Sequence, residues 1–193
     1  MEKVMIRRAS EKDRAAISRI IAYGFREDFC HLTNDLERVS NALMSGYEIN
    51  RFFVADEDGK ILGVIACSDC NGRAASVSAR EYTSKLGLIR GLLGFFVLKS
   101  EFTAPLKYPE TTGYIEFVAV AEDARRRGVA SAMLKGVAEQ TDYSSYILEV
   151  TEINLSAQEC YKKFGFKEIH RVREKLAMVM GYKERIVMEY FKQ

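Results

Sequence analysis

Apolar positions recur along the chain with two periods, and each change of period marks a new element. Alternation with a period of two reads as strand, and apolar residues three and four apart read as helix. Val4–Arg8 is a first strand. Ser10-Glu11-Lys12-Asp13 resembles a capping box, and Ile17, Ile20, Ile21, Gly24 and Phe25 then mark one helical face. A second helix is predicted over Asn34–Ser45. Phe52–Ala55 and Ile61–Cys67 are apolar runs joined through Asp56-Glu57-Asp58-Gly59, which reads as a hairpin. Tyr114–Val120 is a central strand, and Val129, Ala132, Met133 and Val137 place a helix after it. The strand Tyr146–Val150 comes next. Ala157, Cys160, Tyr161 and Phe164 then share a helical face, with Asn154 as N-cap and Gly165 as the left-handed residue that ends the helix. Phe166–Ile169 returns to extended structure, Arg173–Gly181 reads as a short helix, and Arg185–Phe191 as the last strand.

This order of elements is α+β with a mixed central sheet. Between the third and fourth strands lies an insert, Ala79–Pro109. Its Leu86, Ile89, Leu92, Leu93, Phe96 and Val97 have helical spacing. Gly87, Gly91 and Gly94 line another side, each weakening a helix by about 1 kcal/mol relative to alanine. We read the insert as a helix covering the sheet; a wall of a substrate site or a homodimer surface are the alternatives.

Length and charge narrow the classes. The 193 residues suit a single domain spanning 1–193, with a full core. Lys and Arg number 29 against 27 Asp and Glu, which argues against a general binder of nucleic acid. The longest apolar region, Leu86–Leu98, is interrupted by Arg90 and is shorter than the ~20 residues of a membrane span. The Met-Glu-Lys start lacks the apolar core of a signal peptide, so a cytoplasmic protein is expected. Cys67 and Cys70 form one C-x-x-C, but no second pair follows and neither His31 nor His170 lies at ligand spacing. They read as buried or loop cysteines, and no metal is expected. Cys160 reads as core, and the two histidines have no evident acid or serine partner.

The chemistry gathers in the stretch from Val118 to Leu134. A strand ends at Val118-Ala119-Val120, and a polar turn carries Arg125, Arg126 and Arg127 into Gly128 at the mouth of a helix. The first N–H groups of that helix lack intrahelical partners and face outward, as a diphosphate requires. The arginines add permanent charge, and Gly128 admits a ligand without a Cβ in the way. Neither a Walker loop nor a G-x-G-x-x-G fingerprint is present. Instead Arg125, Gly128 and Ala130 form R-x-x-G-x-A, which resembles the acetyl-CoA signature [QR]-x-x-G-x-[GA] of the GNAT N-acetyltransferase superfamily. Asn154, Ala157, Tyr161, Gly165 and Phe166 are similar to the last block of the same superfamily. The likeness is strong over Tyr114–Ile169 and topological before it.

That resemblance implies a GNAT-like acyl-CoA N-acyltransferase fold whose central parallel strands splay apart, with helices on both faces. It implies acetyl-CoA as co-substrate and direct attack by a primary amine of a small molecule or peptide in a ternary complex. The pantetheine arm would lie along Phe117–Val120 and pair with the backbone of Val118 and Val120. The pyrophosphate would rest on the N–H groups of Arg126, Arg127, Gly128, Val129, Ala130 and Ser131, and Asn154 would touch the cofactor. Tyr161 stands where the superfamily often has its general acid. By alternation Glu116 shares a face with Val118 and Val120, where a carboxylate would take the amine proton; Glu149, beside the strand gap, is the second candidate. Two other classes compete: a catalytically silent acetyl-CoA sensor or interaction module, and a nucleic-acid binder using the arginine cluster. The near-neutral charge and the lack of aromatics among the arginines argue against the latter.

Overall fold

A computed structural model describes residues 4–29, 33–76, 83–85, 105–174, 177 and 181–192. Its strands are β1 (Met5–Arg8), β2 (Phe52–Glu57), β3 (Lys60–Ser68), β4 (Thr112–Val120), β5 (Ser145–Thr151), β6 (Lys167–Arg173) and β7 (Glu184–Phe191). The helices are α1 (Arg14–Gly24), α2 (Arg26–Phe29), α3 (Leu36–Leu43), α4 (Val129–Gln140) and α5 (Leu155–Phe164). The strands form one sheet in the order β1-β2-β3-β4-β5-β7-β6. Only β4 and β5 run parallel; the other neighbours are antiparallel.

Alternation in the strands sorts side chains onto two faces, each with its own core. Phe52 and Val54 join Ile17, Ile21, Val39 and Leu43 beneath α1 and α3. Phe53 and Ala55, one step out of phase, join Met133, Val137, Tyr161 and Phe166 beneath α4 and α5. Phe52 and Phe53 are both essentially inaccessible, and each such side chain contributes roughly 1.5–3 kcal/mol of burial. The hairpin between β2 and β3 turns on Asp58 and Gly59, whose φ values of 51° and 86° match the twist of the flanking strands. The Asp56 carboxylate accepts from the Gly59 N–H at 2.7 Å and closes the turn.

At the start of α1 the Asp13 carboxylate accepts from the Ser10 N–H at 2.8 Å, as the capping-box reading requires. It also takes both terminal nitrogens of Arg7, at 2.8 and 2.9 Å, which ties β1 to the helix. The second helix is shorter than its apolar pattern predicts. Asp35 rather than Asn34 caps it, accepting from the Arg38 N–H, and it tightens into a 3₁₀ turn at Met44–Gly46. Arg173, assigned from sequence to a short helix, ends β6. Most of that predicted helix, most of the Ala79–Pro109 insert and His31 lie outside the described residues. Among the described residues, no helix is long and apolar enough to cross a membrane.

Candidate active site

The parallel pair sets the site. β4 and β5 are in register from Thr112↔Ser145 to Ile115↔Leu148, and no further pair joins them. Beyond that rung β4 stays paired to β3 through Val64↔Ala119 and Gly63↔Val120. β5 stays paired to β7 through Glu149↔Val187 and Val150↔Ile186. Both strands are thus held from outside, while their inner backbone edges face an open slot. An extended chain with its own amides can occupy such a slot as an added strand.

A β-bulge then changes which residues look into which face. Ala66 pairs with Glu116 and Val64 with Ala119, so Ile65 opposes two residues of β4. Phe117 absorbs the extra step with φ at 56°, a conformation that bulky residues rarely adopt. Rings of Phe25, Tyr47 and Phe52 hold it at centroid distances of 6.5, 5.9 and 5.8 Å. The consequence corrects the sequence reading. Glu116 lies opposite Ala66, in the α1 layer, whereas Val118 and Val120 pack in the α4–α5 layer. The alternation argument fails at Phe117, because one extra residue inverts the phase of everything before it.

At the far end of the slot, Gly128 has φ at 80° and directs the chain into α4. A Cβ there would meet nothing within 4 Å, so the space above it is open. The N–H of Ala132 bonds to the Gly128 carbonyl at 3.0 Å. The preceding N–H groups, from Val129 to Ser131, have no partner within the helix. Of the three arginines, Arg127 pairs with Glu57 on β2. Arg125 donates to the Val120 carbonyl at 3.4 Å, and Arg126, exposed with φ at 63°, makes no ion pair among the described residues. The cluster is one structural arginine beside two whose charge is not neutralised by a neighbouring carboxylate. Asn154 caps α5 as expected, its side-chain oxygen accepting from Ala157 N–H at 3.1 Å. Its NH₂ group is left to face solvent or a ligand.

Tyr161 projects from α5 into the α4–α5 layer, with its ring 6.0 Å from that of Phe166. Burial pushes its phenol well above the ordinary tyrosine value, so the proton stays on oxygen. Next to it, Cys160 Sγ lies 3.6 Å from Ser131 Oγ and joins the first turn of α4 to α5.

The comparisons with known proteins bear on this geometry. A family model described as the acetyltransferase (GNAT) family matches residues 21–166. The chain belongs to the GNAT acetyltransferase family. No curated protein matches the sequence. Among solved structures, an N-acetyltransferase from Staphylococcus aureus Mu50 is similar in fold, with a TM-score of 0.64 at 18% identity over 96% of this chain and 100% of that one. The ribosomal-protein-S18-alanine N-acetyltransferase from Escherichia coli gives 0.58 at 15% identity, covering 98% and 94%. The yncA protein of Salmonella typhimurium, solved with its cofactor acetyl-CoA, gives 0.62 at 14% identity, covering 97% and 93%.

In this GNAT chain the face of the sheet opposite α4 and α5 carries further chemistry that the sequence did not single out. Arg73 donates to Glu116 at 2.7 and 3.2 Å and lies 5.1 Å over the ring of Tyr114. Glu116 also accepts from the Ala74 N–H at 3.0 Å and from the Ser68 hydroxyl, so its carboxylate is almost fully engaged. Glu149 pairs with Arg185 at 2.9 Å, and Arg185 is shared with Glu174 at 3.6 Å. Tyr108 stacks on Tyr114 at 6.0 Å with 15° between the planes. Arg73 and Tyr108 sit in loops with no periodicity. Only the register between strands brings them to the slot. Cys67, at the end of β3, is buried and its thiol is pushed up to about 12, chiefly by desolvation; Cys70 lies in the turn after it. His170 is exposed on the edge strand β6.

Proposed function

We propose that this protein transfers the acetyl group of acetyl-CoA to a primary amine by direct attack in a ternary complex. The observation that carries the reading is the slot itself: two parallel strands that part after Ile115↔Leu148, with a helix N-terminus and two unpaired arginines at one end. Pantetheine pairs with the inner edge of β4 at Val118 and Val120, and Ala119 lies between them on the same stretch. The diphosphate takes the N–H groups from Arg126 to Ser131 and the charge of Arg125 and Arg126. Asn154 offers its amide NH₂ to the cofactor from the other side.

The thioester carbon then lies in the mouth of the slot, where the amine reaches it from the Glu116–Glu149 face. The C–N bond forms and the C–S bond breaks; the nitrogen, an ammonium with a pKa near ~10.4 when free, gives up one proton before it attacks and a second as the amide forms, the second leaving with the CoA thiolate or to solvent. Glu149 has lone-pair capacity left, whereas Glu116 is committed to Arg73, Ser68 and Ala74. Glu149 therefore receives the first of these protons, and Glu116 positions Arg73 and the mouth. The reading assigns the oxyanion to a backbone N–H of β4 beside the bulge. Tyr161 donates a hydrogen bond to the leaving sulfur. Its raised pKa favours that role over complete transfer to a thiolate whose own pKa is near ~8.5.

Calorimetry with CoA and a thiol-release assay over a panel of amines test the reading. Gly128→Asp sets a negative charge in the cradle and abolishes measurable CoA binding. Tyr161→Phe keeps the packing, leaves CoA affinity near normal and lowers turnover by about 10²-fold. Unchanged CoA affinity in Gly128→Asp would overturn the cradle. Tight CoA binding with no turnover on any amine would favour a silent sensor module.

A further inference from the structure

The turn that leads into α4 is held by a hairpin distant in the chain. Glu57 and Lys60 face each other across β2 and β3, the last register pair before the Asp58-Gly59 turn. Opposite charges so placed can pair across the strands. Here each reaches the turn instead: Glu57 takes the guanidinium of Arg127, and Lys60 the carboxylate of Asp123. The Ala121 N–H donates to the Leu62 carbonyl of β3 at 2.8 Å, and Ala124 is fully buried in the α4–α5 layer. The stretch from Ala121 to Arg127 is thus anchored at its start, its middle and its end.

Such a turn needs anchoring. Arg126 and Gly128 both lie in the left-handed region, with φ at 63° and 80°. Glycine takes that conformation freely, whereas arginine holds it only where its surroundings impose it. Arg127 lies between the two, so fixing its side chain fixes the backbone from which the N–H groups of Arg126 to Ser131 converge. The two ion pairs are unequal. Glu57 is 15% exposed and Arg127 46%, while Lys60 and Asp123 are 62% and 58% exposed. Solvent screens the exposed pair, and the shielded one carries more of the constraint.

We infer that Glu57 is a positioning residue for the cofactor: through Arg127 it holds the strained turn in the shape that receives the diphosphate, and it touches no part of CoA itself. The Arg127 side chain accordingly serves the backbone and not the phosphate. Charge alone argues the other way, because a carboxylate beside the cradle repels a diphosphate. The two roles therefore differ in sign. Were Glu57 only neutralising a phosphate ligand, its removal would free Arg127 and tighten CoA binding. As the anchor of the turn, its removal loosens the cradle and weakens binding.

This inference rests on the acetyl-CoA reading of the slot, and the test separates the two. Glu57→Ala, Arg127→Ala and the double variant are compared with the wild type by calorimetric Kd for CoA, steady-state kinetics with acetyl-CoA, and urea unfolding. We expect each single variant to bind CoA about fivefold more weakly, and the double variant no more weakly than either, because both remove the same anchor. KM for acetyl-CoA rises in step while kcat at saturation holds, a split that a general loss of stability would not give. Glu168→Ala, which breaks the Glu168–Arg171 pair on β6, leaves both constants unchanged. Unchanged or tighter CoA binding in Glu57→Ala would overturn the inference, and so would losses that add in the double variant. If Glu57→Ala is unfolded, Glu57→Gln replaces it in the same cycle. CoA binding without turnover on any amine would overturn acetyl transfer and leave this inference standing. A wild type that binds no CoA would overturn both.

Discussion

Glu116 and Glu149 are the first residues of β4 and β5 beyond the last paired rung, Ile115↔Leu148, and both face away from α4 and α5. They stand on either side of the opening through which an amine would approach the slot. Their surroundings differ: four donors occupy Glu116 from Arg73, Ser68 and Ala74, while Glu149 meets only Arg185. A base needs an available lone pair, so the two are not equivalent. We expect Glu149→Gln to lower kcat by about 10²-fold or more with acetyl-CoA affinity unchanged, and Glu116→Gln to lower it less. The reverse ranking in steady-state kinetics would return the proton to Glu116.

The Arg73–Glu116 pair should show itself in stability. Their side chains are 15% and 9% exposed, so solvent screens them little. Arg73→Met leaves a buried carboxylate without its cation, a change that typically costs about 3–5 kcal/mol. The double variant Arg73→Met/Glu116→Gln removes the stranded charge and recovers a large part of the loss. Urea unfolding of the three proteins checks the order.

Much of this was legible in the sequence. The two blocks that resemble the family, the hairpin and the Asn154 cap all depend on neighbours within a few positions, and local pattern reports them. Glu116 was misplaced because alternation is only as good as its phase, and nothing in Tyr114-Ile115-Glu116-Phe117 announces an inserted step. Arg73 and Tyr108 come from two distant loops that only their packing on Tyr114 unites. Arg127 reads from sequence as part of the diphosphate cradle, and its pairing with Glu57, far away in the chain, is visible only in the structure.

Acid should act through Asp13. Arg7 is the main cause that holds this carboxyl below its ordinary value, against an opposing effect of burial. A depressed native pKa adds stability that is complete above the unfolded value near ~3.9 and is lost as pH falls through it toward the native one. Wild-type urea midpoints should therefore drop steeply below pH ~4, where the linkage acts. Asp13→Asn should be less stable at neutral pH and should show a shallower drop in that acid range.

Asn154 permits the cap and the cofactor contact to be separated. Asn154→Ala loses the bond from Ala157 and should cost about 1 kcal/mol. Asn154→Asp keeps a competent cap, so thermal stability stays within a few tenths of a kcal/mol. It also sets a carboxylate beside the proposed diphosphate, and CoA affinity should fall. Unchanged affinity in the aspartate variant would move the diphosphate away from α5.

Because Phe117 is an inserted step, β4 behaves as two short strands spliced out of phase. Removing that one residue would restore perfect alternation and leave Ile115, Glu116 and Val118 on the faces they now occupy, with Val118 opposite Ile65. What it would take away is the Phe117 ring from among Phe25, Tyr47 and Phe52, and the bend that the bulge puts into β4 where it leaves β5. The inserted residue thus serves the path of the backbone and the packing beneath α1, not the phase of its neighbours.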